Sequence, residues 1–218
     1  MSVKIGLKYI ELWNESMEEK IREYESEPIV KGQIVFYGPS NFTRWSKEFG
    51  MTPLCEAVKG KSGASCVINR GFGSSCAEHQ LYYYPRTIRP LEPKVLVYSF
   101  TGNNSAFGYS MEESWELAQR VIAYARTDFP DIRIYICGQN PRFKDMTCVQ
   151  LEEAKRLESW IKAFVSITPN THYIDVLSYE PLKRKDIYVE DGVHFNRTGY
   201  DIYADFFREQ LKDELDEF

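Results

Sequence analysis

Short runs of β-branched and aromatic residues alternate along this chain with longer segments whose apolar residues recur every three or four positions. Runs of this length and composition predict strands. The five runs are Gln33–Tyr37, Ala64–Asn69, Lys94–Phe100, Ile132–Cys137 and Thr171–Val176. Because they are almost continuously apolar and are separated by helical segments, they indicate a parallel sheet that is buried on both faces.

The segments between these runs predict helices. The strongest is Met111–Arg126, because Ser110 and Glu113 have the spacing of a capping box and an apolar face follows them. The other predicted helices are Ser16–Glu25, Met51–Val58, Cys76–Tyr84, Cys148–Phe164 and a last helix that begins near Thr198. We therefore predict an α/β fold, a three-layer α/β/α domain over residues 1–218, with an N-terminal helix at 10–26 packed on it.

Candidate catalytic residues follow the predicted strands. Ser40 follows the first strand, Gly71–Ser75 the second and Thr101–Asn104 the third, whereas Asp191 and His194 lie after the fifth. In a parallel sheet the loops after the carboxyl ends of the strands form one functional edge. An aspartate can orient a histidine that takes a proton from a serine, so this arrangement predicts a serine hydrolase.

Four sequence blocks, in this order, resemble the SGNH (GDSL-like) hydrolases. The blocks are Gly-Pro-Ser at 38–40, Asn-Arg-Gly-Phe-Gly at 69–73, Gly-Asn-Asn at 102–104 and Asp-Gly-Val-His at 191–194. The resemblance extends over roughly residues 10–212. It implies the flavodoxin-like strand order 2-1-3-4-5, with five mainly parallel strands.

The resemblance also implies a role for each matching residue. Ser40 would be the nucleophile, His194 the general base and then acid, and Asp191 the carboxylate that orients the imidazole. The backbone N–H groups of Ser40 and of the 73–74 region, with the side chain of Asn104, would form the oxyanion hole. The implied activity is a metal-independent serine esterase, without a cofactor, that acts on small acyl esters through an acyl-enzyme intermediate. Acetyl esters of carbohydrates are among the substrates of such enzymes.

Three positions depart from the family pattern. Pro39 stands where the family often has aspartate, Ser74 where it commonly has a second glycine, and Ser105 where it has aspartate. If position 74 requires a positive φ, serine is strained there in a way that glycine is not. The alternative interpretation is therefore a non-catalytic or weakly active ligand-binding module on the same fold.

Arg142 follows the fourth predicted strand at the same edge, within Gln-Asn-Pro-Arg. Two interpretations stay open for it. It can neutralise an anionic group of the substrate or close the pocket, or it can be an ordinary loop arginine. The two other histidines, His79 and His172, lack a carboxylate at a suggestive spacing, so we predict structural roles for both.

Composition and charge narrow the function classes. The net charge of −5 argues against a nucleic-acid partner. No apolar run approaches the length of a membrane span, so we expect no membrane partner. The five cysteines, at 55, 66, 76, 137 and 148, show no metal-binding or disulfide spacing. We see no signal peptide, and the three glycosylation motifs fall on the predicted active-site edge; both features favour a cytoplasmic protein. The oligomeric state stays open.

Overall fold

Parallel strands form one sheet in the computed structural model, which describes residues 14–143 and 147–218. The strand order is β2-β1-β3-β4-β5 and all four neighbouring pairs are parallel, so the predicted fold and strand order are confirmed. The strands are β1 (Ile34–Gly38), β2 (Val67–Gly71), β3 (Val95–Tyr98), β4 (Arg133–Cys137) and β5 (Thr171–Ile174).

Helices cover both faces of this sheet. They are α1 (Asn14–Ser26), α2 (Ser40–Thr43), α3 (Leu54–Ala57), α4 (Ala77–Thr87), α5 (Met111–Asp128), α6 (Cys148–Ile167), α7 (Arg197–Gln210) and α8 (Lys212–Leu215). The predicted helix at 51–58 is only α3, because Pro53 is its N-cap residue with extended dihedral angles. In contrast, α4 continues through Pro85 to Thr87, three residues beyond the predicted end at Tyr84.

The second strand begins and ends later in the chain than predicted, so that Gly71 belongs to the strand rather than to the loop after it. Its register places Gly71 beside Gly38, the last residue of β1. A Cβ atom at position 71 would lie 2.5 Å from Cβ of Phe42 and 2.6 Å from the backbone nitrogen of Thr43. Only glycine therefore lets α2 pack this closely on the end of β2.

Each face of the sheet has its own hydrophobic core. Ile34 and Phe36 point to the face covered by α7, whereas Val35 and Tyr37 point to the face covered by α4, α5 and α6. This alternation explains why β1 is apolar at every position. Both cores are rich in aromatic rings, which accounts for the high aromatic content.

Helix α1 packs against α4, with Met17 and Ile21 buried in the second core. The first residues of the predicted N-terminal helix, 10–13, lie outside the described residues. No helix among the described residues is both long and apolar enough to cross a lipid bilayer. The cysteines are unpaired, and Cys66, Cys76 and Cys137 are buried.

Candidate active site

The turn after β1 places Ser40 at the start of a helix. Ser40 is the first residue of α2, and Pro39 before it has extended dihedral angles. The first N–H groups of a helix have no partner within the helix, so the backbone N–H of Ser40 is oriented for an external acceptor. Proline at position 39 removes a donor from that position alone. The departure at Pro39 therefore leaves both the hydroxyl and the N–H of Ser40 intact.

Side chains from β2 and α7 hold this turn in place. Nδ2 of Asn69 donates to the carbonyl of Phe42 at 2.7 Å, while its Oδ1 accepts from the N–H of Gly71 at 2.9 Å. The hydroxyl of Tyr200 donates to the carbonyl of Asn41 at 2.8 Å. The turn that carries Ser40 is thus attached to the sheet on one side and to α7 on the other.

Asp191 organises the loop that leads into α7. Its Oδ1 accepts from the N–H groups of Val193 and His194 at 2.8 and 2.9 Å, and its Oδ2 lies 2.6 Å from Nδ1 of His194. Burial would raise the pKa of Asp191, but these hydrogen bonds outweigh burial and hold the pKa at about 2. The carboxylate is therefore ionised and can only accept hydrogen bonds.

Ser40 and His194 meet across the edge of the sheet, with Oγ of Ser40 2.7 Å from Nε2 of His194. Because the ionised Asp191 can only accept, Nδ1 of His194 carries the proton and Nε2 is left to accept from the serine hydroxyl. The imidazole is largely covered, with a side chain 16% exposed, whereas that of Asp191 is 40% exposed. The structure thus brings the three predicted triad residues together in hydrogen-bond contact.

Arg44 is a neighbour of this triad that the sequence reasoning missed. It is the C-cap residue of α2. Its Nη1 lies 3.5 Å from Oδ2 of Asp191, the same oxygen that contacts Nδ1 of His194. The backbone N–H of Arg44 donates to the carbonyl of Ser40 at 2.8 Å. One signal was present in the sequence, since Arg44 follows Ser40 by one helical turn. Nothing in the sequence revealed that Asp191 would lie beside that turn.

The loop after β3 presents Asn104 in a defined orientation. Its Oδ1 accepts from the N–H of Ala77 at 3.0 Å, and its Nδ2 donates to the carbonyl of Phe100 at 2.6 Å. An amide nitrogen has two hydrogens, so one N–H of Asn104 remains for a ligand. The neighbouring Asn103 donates to the carbonyl of Ser75 at 3.0 Å. The loops after β2 and β3 are therefore attached to each other by two asparagines.

Ser74 adopts the left-handed conformation, with φ of 58°. Such a conformation costs a residue with a Cβ atom about 1–2 kcal/mol, which is the strain expected at this departure from the family pattern. A Cβ atom at the preceding Gly73 would meet no atom within 4 Å. The backbone at 73–74 therefore borders open space, as an oxyanion donor must.

A cysteine and a histidine, residue types that can also act as nucleophile and base, lie together at the start of α4. They are Cys76 and His79. Sγ of Cys76 is 3.1 Å from Nδ1 of His79, and both residues are fully buried. Burial raises the pKa of the Cys76 thiol to about 11, so this thiol is protonated at neutral pH. The pair forms a capping box for α4, which agrees with the structural role predicted for His79. The other histidine, His172, stacks on Tyr135.

Arg142 lies at the same edge, with Nη2 3.4 Å from the carbonyl oxygen of Gly102. It borders a cavity of about 80 Å³ that Asn104 also lines. In the part of the chain that the structure describes, no three histidine, cysteine, aspartate or glutamate side chains are grouped to hold a metal ion.

Several solved structures share the fold of this chain. Among solved structures, a GDSL-like lipase from Bacteroides thetaiotaomicron superposes with a TM-score of 0.66 at 17% identity, covering 91% of this chain and 98% of that one. An acetyl xylan esterase, AlAXEase, gives 0.66 at 20% identity, with 82% and 99% covered. A variant of an acetyl-xylooligosaccharide esterase from Geobacillus Stearmophilus gives 0.64 at 14% identity, with 85% and 96% covered. At these identities the likeness shows the fold alone.

No curated protein sequence matches this chain. The sequence profile of the GDSL-like Lipase/Acylhydrolase family matches residues 38–202, which is well over half of the chain and includes all of the candidate site residues. The chain therefore belongs to the GDSL-like lipase/acylhydrolase family.

Proposed function

We propose that this protein is a serine esterase that hydrolyses small acyl esters through an acyl-enzyme intermediate. The observation that carries the proposal is the continuous set of hydrogen bonds from Ser40 Oγ to His194 Nε2 and from His194 Nδ1 to Asp191. A serine hydroxyl becomes nucleophilic only when a base takes its proton. The binding-module alternative gives no reason for an ionised carboxylate to orient a histidine toward that hydroxyl.

In the first half of the reaction Oγ of Ser40 attacks the ester carbonyl carbon while Nε2 of His194 takes the hydroxyl proton. The carbonyl oxygen becomes an oxyanion, which the N–H groups of Ser40 and Ser74 and the side chain of Asn104 stabilise. The imidazolium then gives its proton to the alkoxide oxygen as the carbon–oxygen bond breaks. An alcohol leaves, and the acyl group remains on Ser40.

In the second half, water replaces Ser40 as the nucleophile. His194 removes a proton from the water as it attacks the acyl carbon, and a second oxyanion forms in the same place. The proton then returns to Oγ of Ser40 as the acyl–serine bond breaks, which releases the carboxylic acid. Asp191 stays ionised throughout and stabilises the imidazolium that forms in each half.

The acyl group that we propose is small, and acetyl is the first candidate. Two solved structures of the same fold are named as esterases of acetylated xylan and acetylated xylooligosaccharide. These names support acetyl esters of carbohydrates as the first natural substrates to test.

The test compares the hydrolysis of 4-nitrophenyl acetate and butyrate by the wild type, Ser40→Ala and Ser65→Ala. Ser65 is exposed and outside the site, so Ser65→Ala should match the wild type. Ser40→Ala should lose at least about 10³-fold in kcat. A fluorophosphonate should label the wild type at Ser40 and leave Ser40→Ala unlabelled. Equal rates for wild type and Ser40→Ala, or no hydrolysis by either, would overturn the proposal in favour of a binding module.

A further inference from the structure

Arg142 is connected to two of the loops that carry candidate catalytic groups. Its guanidinium contacts the carbonyl of Gly102, in the loop of Asn104. The N–H of the next residue, Phe143, donates to the carbonyl of Gly192 at 2.9 Å, inside the loop of Asp191 and His194. Contacts on both sides therefore hold this arginine at the site, instead of leaving it to extend into solvent.

The charge of Arg142 has no carboxylate partner among the described residues. Other partly covered arginines do have one, since Arg86 pairs with Glu18 and Glu25, and Arg133 pairs with Glu214. Burial lowers the pKa of the Arg142 guanidinium, and no neighbouring carboxylate counteracts it. A half-buried cation that has no counter-ion among the described residues has lost hydration that an anionic ligand can replace.

The cavity beside Arg142 has the size and polarity for a small anionic group. Its volume of about 80 Å³ is several times the roughly 10–15 Å³ that a cavity needs to hold one water molecule. Asn104, Gln139 and Gln150 are among the polar residues that line it. Helix α6 begins beside it, and no acidic residue in the first turn of this helix opposes the partial positive charge of the helix end.

One carboxylate, that of Glu153, also lines the cavity. The Arg142 guanidinium forms no ion pair with Glu153; its hydrogen bond is to the carbonyl of Gly102. Its negative charge opposes an anionic ligand. Removing the charge of Glu153 should therefore strengthen the binding of an anionic ligand, whereas removing the charge of Arg142 should weaken it.

We propose that Arg142 makes this enzyme selective for esters that carry a carboxylate, which the guanidinium binds in the cavity beside Asn104. The planar guanidinium matches a carboxylate with two parallel hydrogen bonds. The proposal rests on ester hydrolysis at Ser40 and adds the substrate class. It makes Arg142 a specificity residue.

The first test measures kcat/KM for two pairs of esters that differ in a carboxylate. Mono-4-nitrophenyl succinate against 4-nitrophenyl butyrate places the charge in the acyl part, and 4-acetoxybenzoate against phenyl acetate places it in the alcohol part. For at least one pair, Arg142→Gln should lower the ratio of charged to neutral ester at least tenfold, and Glu153→Gln should raise it. Arg22→Gln removes an exposed arginine of α1 and should leave the ratio unchanged. A ratio that Arg142→Gln does not change in either pair would overturn the proposal.

The second test measures binding without turnover, so that it does not depend on catalysis. Monomethyl succinate and 4-acetoxybenzoate are titrated calorimetrically into Ser40→Ala and into the same variant with Arg142→Gln. The added substitution should weaken binding of at least one probe at least tenfold; equal Kd values for both would contradict carboxylate binding. If Ser40→Ala hydrolyses esters like the wild type while Arg142→Gln still weakens binding, the proposed catalysis is wrong and the anion site stands. If hydrolysis needs Ser40 but neither ratio nor Kd depends on Arg142, only the carboxylate selectivity is wrong.

Discussion

The guanidinium of Arg44 lies 3.5 Å from Oδ2 of Asp191, the carboxylate oxygen that also accepts a hydrogen bond from Nδ1 of His194. The carboxylate thus faces an arginine on one side and the imidazole on the other. Arg44 and His194 therefore share one carboxylate oxygen, and Arg44 adds an ion pair to the loop that Asp191 organises.

We predict that Arg44→Gln lowers the free energy of unfolding at pH 7 by about 0.2–1 kcal/mol, the amount that a partly exposed ion pair typically contributes. Asp191 keeps its hydrogen bonds to Val193 and His194 in this variant, so the loss is confined to the ion pair. Urea unfolding of the wild type and the variant measures the difference. An unchanged or higher free energy of unfolding would contradict the prediction.

Asp191 has a depressed pKa in the folded protein, so its charge contributes to stability at neutral pH. Its pKa of about 2 lies below the value near 4 of an unfolded aspartate. The contribution is complete above about pH 4 and is lost as the pH falls toward 2. We predict that Asp191→Asn lowers the free energy of unfolding in urea at pH 7, and that the difference shrinks between pH 4 and pH 3. A difference that grows on acidification would contradict the assigned pKa.

Substituting Asn104 and Asn103 in turn distinguishes stabilisation of the oxyanion from attachment of the loops after β2 and β3. Both side chains donate one N–H to a carbonyl group, but only Asn104 is proposed to direct its other N–H to the oxyanion. We predict that Asn104→Ala lowers kcat by about 10²–10³-fold, the usual effect of removing one oxyanion donor. Asn103→Ala should change kcat by less than about tenfold. Equal losses in kcat for the two variants would show that loop attachment alone matters.

Periodicity and local composition were sufficient to predict the sheet, because β1 and β3 are apolar on both sides and the helices between them are amphipathic. Together with the resemblance to a known family, the strand ends also made Ser40, Asp191 and His194 the candidate catalytic residues, and these three side chains lie in hydrogen-bond contact. The contacts of Arg44 with Asp191 and of Asn69 with Phe42 could not be predicted in this way. They join elements that only the folded sheet brings side by side.

Ser74 offers a test of strain at the proposed oxyanion site. Its φ of 58° is left-handed, where glycine is not penalised and a residue with a Cβ atom is. We predict that Ser74→Gly raises the free energy of unfolding by about 1 kcal/mol and keeps esterase activity, because the backbone N–H remains. Ser74→Ala should leave stability nearly unchanged, since alanine has the same backbone strain. A Ser74→Gly variant that is no more stable in urea than Ser74→Ala would show that the strain is absent.

Gly71 and Gly73 lie two residues apart but tolerate a methyl group very differently. At Gly71 a Cβ atom would approach backbone and Cβ atoms of the turn that carries Ser40 to 2.5–2.8 Å, and these atoms cannot rotate away. We predict that Gly71→Ala destabilises the protein by about 1–3 kcal/mol, as overpacking does, and that it lowers kcat by displacing Ser40 from His194. At Gly73 no atom lies within 4 Å of the added methyl, so Gly73→Ala should retain the wild-type melting temperature. Urea unfolding and 4-nitrophenyl acetate hydrolysis measure both effects. If Gly71→Ala unfolds at the wild-type midpoint with unchanged kcat, then the close contact between β2 and α2 does not position the nucleophile.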